Sequence, residues 1–422
     1  MEEELEDRGA NKIFCCDLPR KKQWVWLYTL VPSVLSFLLH LASLLVDSSL
    51  ALQLAFVEDL QQLAILTFAF LYVPVVFTLV LQPLPFPQTI SCGSLAWWTL
   101  RLAIYFVFYP LLISLSLLKR LFWIVQALQA QKPSKEILME YDTVLSKDEH
   151  SYIFLQAFLQ CAPQAILQIH FMLLKIPTDL RTDYLQATSV VVSLVTLAYC
   201  IASYHRYEAQ VVGGRPSVLL LNPPELTSGT HDTALPLLPI RFCLRSKIIA
   251  LQLDSLEGKV VLFLSWLLLI SGRLLCLVIS EKMHEKATMI TLFVHICLIL
   301  LYMFSSQTTT LFDIPSRLIN AIFSIVALVE VSVRFHKVPL LYFLFFICIF
   351  VEDTYLLILF YVYSKHLCSD RGFDCDSFGI YAYLIINSHV LGIIMFGFYL
   401  ARLRPQRKSV VSMPPAENLV PI

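Results

Sequence analysis

Five ionisable side chains lie within or at the ends of long apolar stretches of this sequence. Arg273 and the pair Glu352 and Asp353 fall near the middle of two stretches, Glu330 falls late in a third, and Asp47 closes the first. A charge inside a bilayer is costly, so such residues pair with one another or face a wet cavity. The simplest arrangement pairs Arg273 with Glu352 or Asp353, either to fix helix register or to line a polar pathway. Asp47, taken alone, is expected in water at the membrane interface.

A second polar feature is a row of glutamines within another apolar stretch. Gln160, Gln164 and Gln168 recur every four residues, so they share one face of a helix. Pro163 lies among them and frees a backbone carbonyl one turn earlier. In lipid, such a face must either hydrogen-bond to another helix or line a wet groove. Both alternatives remain open from the residues alone.

The composition places these residues in a membrane protein. Hydrophobic side chains make up 58% of the chain, charged ones only 15%, and the mean hydropathy is +0.72. Lysines plus arginines equal aspartates plus glutamates at 31 each, which gives no indication of nucleic-acid binding. No phosphate-binding loop, nucleophile elbow or metal-ligand spacing occurs, and none of the 11 cysteines forms a CxxC motif. We therefore expect no enzymatic activity, no cofactor and no metal.

Ten segments approach the roughly 20 apolar residues that a helix needs to cross a bilayer. They predict an all-α polytopic protein. The segments cover residues 24–46, 60–81, 95–118, 151–174, 185–204, 260–280, 287–305, 318–333, 338–363 and 378–401.

The distribution of basic residues indicates that not all ten segments cross. Arg20, Lys21 and Lys22 place the N-terminal tail in the cytoplasm, and basic residues likewise favour the cytoplasm for the loop after the third segment and for the C-terminal tail. These assignments agree only if one of segments two and three, and one of segments seven and eight, enters the membrane and returns. About eight crossings and two re-entrant helices remain.

The segments form two blocks of five, which suggests a degenerate internal duplication. The predicted organisation is a cytoplasmic tail (1–23), a first membrane repeat (24–204), a cytoplasmic loop (205–259), a second membrane repeat (260–401) and a second cytoplasmic tail (402–422). Coincidence of hydropathy is the alternative to duplication. The predicted outer loop near residue 370 contains Cys368 and Cys375, which could form a disulfide or pair elsewhere.

Four motifs, taken in order, resemble the XK-related family. The first is Ala162-Pro163-Gln164 followed by Gln168, and the second is Tyr204-His205-Arg206 after the next helix. Arg273 is similar to an arginine of the family's sixth segment, and Glu352-Asp353 falls where the family often has an acid. Order and spacing agree over nearly the whole chain.

The resemblance implies two repeats with eight transmembrane and two re-entrant helices at the plasma membrane. It also implies movement of phosphatidylserine and other phospholipids between leaflets, as in apoptotic cells, through a polar path lined or braced by the residues named above. A non-scrambling adaptor that binds a single-pass membrane subunit or a lipid-transfer protein is the alternative, and a homo-oligomer is a further expectation for partners.

Two departures from the family pattern concern charge and activation. Gln160 stands where many members carry an acid. No Asp-x-x-Asp caspase site occurs, and only the segment that ends at Asp7 resembles a cleavable sequence. Ser409 and Ser412, beside Arg407 and Lys408, offer phosphorylation as a rival switch.

Overall fold

The computed structural model of the protein describes eleven stretches of the chain. They are residues 12–13, 16–17, 30–58, 60–81, 92–129, 149–174, 178–210, 256–306, 314–328, 338–367 and 378–403. Almost all of these residues are helical, and the exception is a short antiparallel pairing of β1 (Lys12–Ile13) with β2 (Cys16–Asp17). The all-α architecture predicted from the sequence is therefore confirmed.

The helices follow the apolar segments in order. Their bounds are α1 Val31–Phe56, α2 Gln61–Leu81, α3 Cys92–Gln129, α4 Glu149–Gln156, α5 Ala162–Leu173, α6 Leu180–Gln210, α7 Leu256–Ser306, α8 Ile314–Phe323, α9 Val338–Leu367 and α10 Phe378–Phe398. A π-helical turn, Ala157–Cys161, joins α4 to α5, and a second one, Tyr399–Leu403, follows α10.

Eight stretches of the described helices are long and apolar enough to cross a membrane, which confirms the expected number of crossings. They correspond to segments one, two, three, five, six, seven, nine and ten, so segments two and three are both long enough to cross, whereas the basic residues predict that one of them re-enters. The fourth segment is helical from residue 149 to 173 and contains the π-helical turn, and its α-helical pieces have at most 12 residues. The eighth forms a helix of 10 residues, about 15 Å long, which is half the thickness of the hydrocarbon core. The re-entrant course of two segments stays a prediction.

Two segment boundaries differ from those predicted by hydropathy. Helix α1 ends later than the predicted residue 46, because Asp47 continues the helix inside the bundle instead of ending it at the interface. Segments six and seven together form α7. Its helical geometry is interrupted at His284, which adopts non-helical angles of φ −142° and ψ 66°. We refer to the parts before and after His284 as α7a and α7b.

The bundle is apolar on its outer surface and polar at selected places inside. Large apolar side chains such as Leu38, Ile65 and Phe293 are exposed on the spanning helices, as expected for contact with lipid tails. Helix α1 runs antiparallel to α6, since Ser36 hydrogen-bonds to Tyr199 near one end and the Glu58 carboxylate accepts from Thr182 Oγ1 at the other. Small and polar side chains therefore join these two helices.

Helix α7a lies at the centre of the second half and packs most extensively against α10. A glycine allows the close approach, because a Cβ atom at Gly392 would lie 2.7 Å from Leu269 Cγ. At the same place Ser265 Oγ donates to the Gly392 carbonyl oxygen at 2.8 Å. Small residues at such contacts are typical of packed membrane helices.

The close approach predicts that Gly392→Ala lowers the free energy of unfolding by about 1–3 kcal/mol, since the added methyl group forces α7a and α10 apart. Gly397→Ala is the matched control on the same helix, because a Cβ there meets nothing within 4 Å. Denaturant titration in mixed micelles measures both variants. Equal stability of the two would show that the contact at Gly392 is not tight.

Candidate functional site

The second half of the bundle contains a buried arginine that binds two acids. Arg273 of α7a is 1% exposed, and its guanidinium donates through Nη2 to Glu352 Oε2 at 2.7 Å and through Nη1 to Asp353 Oδ1. Its Nε donates to the Ile325 carbonyl oxygen at 3.2 Å, just beyond α8. One side chain therefore ties α7a to α9 and to the turn after α8. Each charge has an oppositely charged partner, as burial in a membrane requires.

Two histidines extend the ion pair to further helices. His295 Nδ1, on α7b, lies 2.8 Å from Glu352 Oε1, and His389 Nε2, on α10, lies 2.8 Å from Asp353 Oδ2. Both rings are almost wholly buried. We refer to Arg273, Glu352, Asp353, His295 and His389 as the charged cluster. It connects α7a, α7b, α9 and α10.

The second ring nitrogen of each histidine faces a backbone carbonyl. His295 Nε2 lies 3.1 Å from the Ser324 carbonyl oxygen, and His389 Nδ1 lies 2.8 Å from that of Ile385. A neutral imidazole has one N–H, so a ring that donates to the carbonyl presents a lone pair to the carboxylate. The opposite tautomer donates its N–H to the carboxylate, so each ring can bond to either partner.

A cysteine lies beside one of these contacts. Cys348, one turn before Glu352 on α9, places its Sγ 3.6 Å from Glu352 Oε1. The ligand atoms of His295, Cys348 and Glu352 all lie within 4.8 Å of one another. The sequence search misses this group because its members come from two helices that are distant in the chain.

The first half contains a buried acid that accepts hydrogen bonds from uncharged donors. Asp47 of α1 is 2% exposed and accepts from Ser189 Oγ at 2.7 Å and from Gln160 Nε2 at 2.9 Å. The same Gln160 Nε2 also lies 3.0 Å from Ser43 Oγ. We refer to Asp47, Ser43, Gln160 and Ser189 as the aspartate cluster. It joins α1, the π-helical turn and α6, so Asp47 does not lie in water at the interface.

The row of glutamines continues from this cluster along α5. Gln168 Nε2 lies 3.4 Å from Thr67 Oγ1 of α2, whereas neither polar atom of the Gln164 side chain has a hydrogen-bond partner among the described residues. Gln160, Gln164 and Gln168 are each at most 1% exposed. Gln160 and Gln168 hydrogen-bond to neighbouring helices, which is one of the two alternatives left open by the sequence. Because all three glutamines are buried among the described residues, they do not line an open groove.

The two clusters occupy the same ordinal positions in the two blocks of segments. Asp47, Gln160 and Ser189 lie on segments one, four and five, whereas Arg273, Asp353 and His389 lie on segments six, nine and ten. The charges differ, because the first segment of the first block contributes the acid Asp47, whereas the first segment of the second block contributes the base Arg273. Polar contacts therefore join equivalent helices in both halves.

The remaining residues singled out from the sequence are placed as follows. Ala162 is buried at the start of α5, and Pro163 follows in its first turn. Tyr204, His205 and Arg206 belong to the last turns of α6. Glu330, Cys368, Cys375 and Asp7, as well as Ser409 and Ser412, lie outside the described residues.

Sequence reasoning missed four members of the two clusters, namely Ser43, Ser189, His295 and His389. Serines in apolar helices commonly bond to their own backbone and carry no distinctive signal. The two histidines lie inside apolar segments, and intramembrane histidine is itself an indication of function that could have identified them.

Comparison with known protein families agrees with this geometry. The family model described as XK-related protein matches residues 31–213, which include α1 to α6 and the whole aspartate cluster. Over these residues the chain is similar to the XK-related family. The resemblance predicted from the sequence is thereby confirmed, and the XK-related match ends before the charged cluster. No curated protein matches the chain significantly.

Removal of the buried cation should destabilise the protein strongly. Arg273→Ala leaves the Glu352 and Asp353 carboxylates without their cation, and we expect a loss of about 3–5 kcal/mol in the free energy of unfolding. Arg101→Ala is the control, because Arg101 is exposed and only lies 5.9 Å from the Tyr105 ring centre. Its loss should be below about 1 kcal/mol. Denaturant titration in micelles distinguishes the two values, and similar losses would contradict a buried pair.

The aspartate cluster leads to a smaller expected effect. Asp47→Ala removes the acceptor of Ser189 Oγ and one of the two acceptors of Gln160 Nε2, and we expect a loss of about 1–3 kcal/mol, chiefly from Ser189 Oγ. Glu285→Ala, at an exposed position on α7b, should change stability by less than about 0.5 kcal/mol. The double substitution Asp47→Ala with Ser189→Ala should lose less than the sum of the single losses. Additive losses would contradict direct contact.

Proposed function

We propose that this protein moves phospholipids between the leaflets of a membrane, with phosphatidylserine among its substrates. The observation that carries the proposal is the fully buried, unpartnered amide of Gln164, which lies in a polar row inside membrane-spanning helices. A lipid headgroup needs a polar path through the hydrocarbon core while its tails stay in lipid. The row from Gln160 to Gln168 provides polar groups over about two helical turns.

The arrangement described here corresponds to a closed path. The three glutamines and Asp47 are at most 2% exposed, so no headgroup reaches them without movement of helices. An unpartnered buried amide costs about 1–3 kcal/mol, and water or a headgroup would satisfy it. The closed form therefore lacks a hydrogen-bond partner for Gln164, and opening would provide one.

The backbone at the same place is suited to movement. The π-helical turn Ala157–Cys161 contains Gln160, the first glutamine of the row, and Pro163 removes a backbone donor next to it. Kinks in helices occur at such turns and at prolines. We assign the moving part to α4, the turn and α5, which would separate from α1, α2 and α6.

The charged cluster has a different role in this proposal. Its ion pairs join α7a, α9 and the turn after α8, and its histidines add α7b and α10. These links hold the second half together while the first half opens. At the far end of α5, the Lys282 ammonium donates to the Leu173 carbonyl oxygen at 2.8 Å, which anchors α5 to α7a.

Gln164→Leu tests the proposal through two measurements on one variant. Leucine removes the unpartnered amide, so the closed form should gain about 1.4 kcal/mol and the rate of scrambling should fall about tenfold. Exchange of a fluorescent phospholipid in liposomes gives the rate, and denaturant titration gives the stability. Gln62→Leu, at an exposed position on α2, is the matched control and should leave both unchanged.

The same assay tests regulation by the tails. Full-length protein is compared with versions that lack residues 1–11 or 404–422. A higher rate in either truncated version would identify an inhibitory tail. No exchange from any well-folded version would contradict scrambling and favour an adaptor that binds a single-pass membrane protein or a lipid-transfer protein. Plasma-membrane location and cytoplasmic termini belong to the proposal and are tested by surface labelling of epitope tags.

A further inference from the structure

His295, Cys348 and Glu352 bring three different ligand types to one place. Nitrogen of His295 comes from α7b, whereas sulfur of Cys348 and oxygen of Glu352 come from one face of α9, since the two residues are four apart. Imidazole, thiolate and carboxylate are the groups that bind zinc in proteins. From this geometry we propose that the three residues form a binding site for Zn²⁺ or a similar divalent ion.

The distances are close to those of a tetrahedral ion. Bond lengths of about 2.3 Å to sulfur and about 2.0 Å to nitrogen and oxygen place sulfur about 3.5 Å from oxygen, and nitrogen about 3.3 Å from oxygen. The structure has Cys348 Sγ 3.6 Å from Glu352 Oε1, and His295 Nδ1 2.8 Å from the same oxygen. The second distance must increase by about half an ångström, and the Cys348 Sγ to His295 Nδ1 distance is within 4.8 Å.

Neighbouring groups orient two of the three ligands. The Ser324 carbonyl oxygen lies 3.1 Å from His295 Nε2, and the tautomer that donates to it presents the Nδ1 lone pair to Glu352 Oε1. This is the outer contact that metal-binding histidines ordinarily make. Arg273 occupies Glu352 Oε2 and leaves Oε1 for the ion. In that tautomer, an ion between Nδ1 and Oε1 would satisfy two acceptors that lie 2.8 Å apart.

The local charge also favours the ion. With neutral imidazoles and a thiol at Cys348, the two carboxylates of the charged cluster exceed Arg273 by one negative charge. Binding of a divalent ion releases the thiol proton to solvent and leaves a thiolate, so the cluster becomes neutral. Cys348 and Glu352 are partly exposed, whereas His295 is buried. The bound ion would join α7b to α9, independently of any lipid movement.

Site-resolved alkylation in micelles tests the proposal first on the unsubstituted full-length protein. Stoichiometric Zn²⁺ should slow modification of Cys348 at least tenfold and leave the exposed Cys297 on α7b unaffected. His295→Gln should remove the protection of Cys348. Equal rates at Cys348 with and without Zn²⁺ would overturn the proposal and indicate that a proton alone joins His295 to Glu352.

Titration with Co²⁺ gives an independent readout. The wild-type protein and Cys297→Ser should each develop a thiolate-to-cobalt absorption band at one equivalent, and Zn²⁺ should remove it. Cys348→Ser should lack the band and bind Zn²⁺ at least tenfold more weakly, since even outer contacts of a metal site contribute 10- to 100-fold. A band that persists in Cys348→Ser, or none in the wild type, would contradict the site.

Discussion

The contact between Arg273 and the adjacent acids Glu352 and Asp353 constrains the whole second half of the bundle. A guanidinium that is 1% exposed inside apolar helices must have its charge and its donors satisfied by protein. Glu352 and Asp353 satisfy it together, and each then contacts a histidine from another helix. The positions of α7a, α7b, α9 and α10 are therefore coupled through one set of ionic contacts. The glycine contact between α7a and α10 supplies the close packing that holds this set in a dry environment.

In the first half, a buried acid is stabilised by weaker interactions. Asp47 is as buried as the charged cluster, yet its partners Ser189 and Gln160 are uncharged donors. Each such hydrogen bond contributes less than a buried ion pair costs to break. The first half also contains the π-helical turn and the unpartnered Gln164. Ion pairs join the second half, whereas hydrogen bonds from uncharged donors join the first half around Asp47, and this difference in strength is the basis of the proposed opening.

The ordinal match between the two clusters bears on how the halves are related. In both, contacts form between the first, fourth and fifth segments of a block, although the residues differ in charge. A duplicated set of helices would keep its packing while its side chains diverge. The hydrogen bonds of the aspartate cluster and the ion pairs of the charged cluster would then join corresponding helices of the two halves. The zinc-class site proposed at His295, Cys348 and Glu352 belongs to the second block alone, since its ligands have no counterparts of metal-binding type in the aspartate cluster.

The sequence by itself determined the membrane class, the number of helices long enough to cross, the resemblance to the XK-related family, and Glu352 or Asp353 as the partner of Arg273. Hydropathy shows where a chain can enter lipid, and a charge in lipid must find an opposite charge, so few acids were available to Arg273. The sequence did not determine that Asp47 continues α1 into the bundle, because an acid at the end of an apolar run is equally consistent with the interface. Tertiary structure alone decided that Ser189 accompanies Asp47, that Glu352 and Asp353 each contact one histidine, and that Cys348 lies beside His295. Those groups are distant in the chain, and only the packing of helices brings them together.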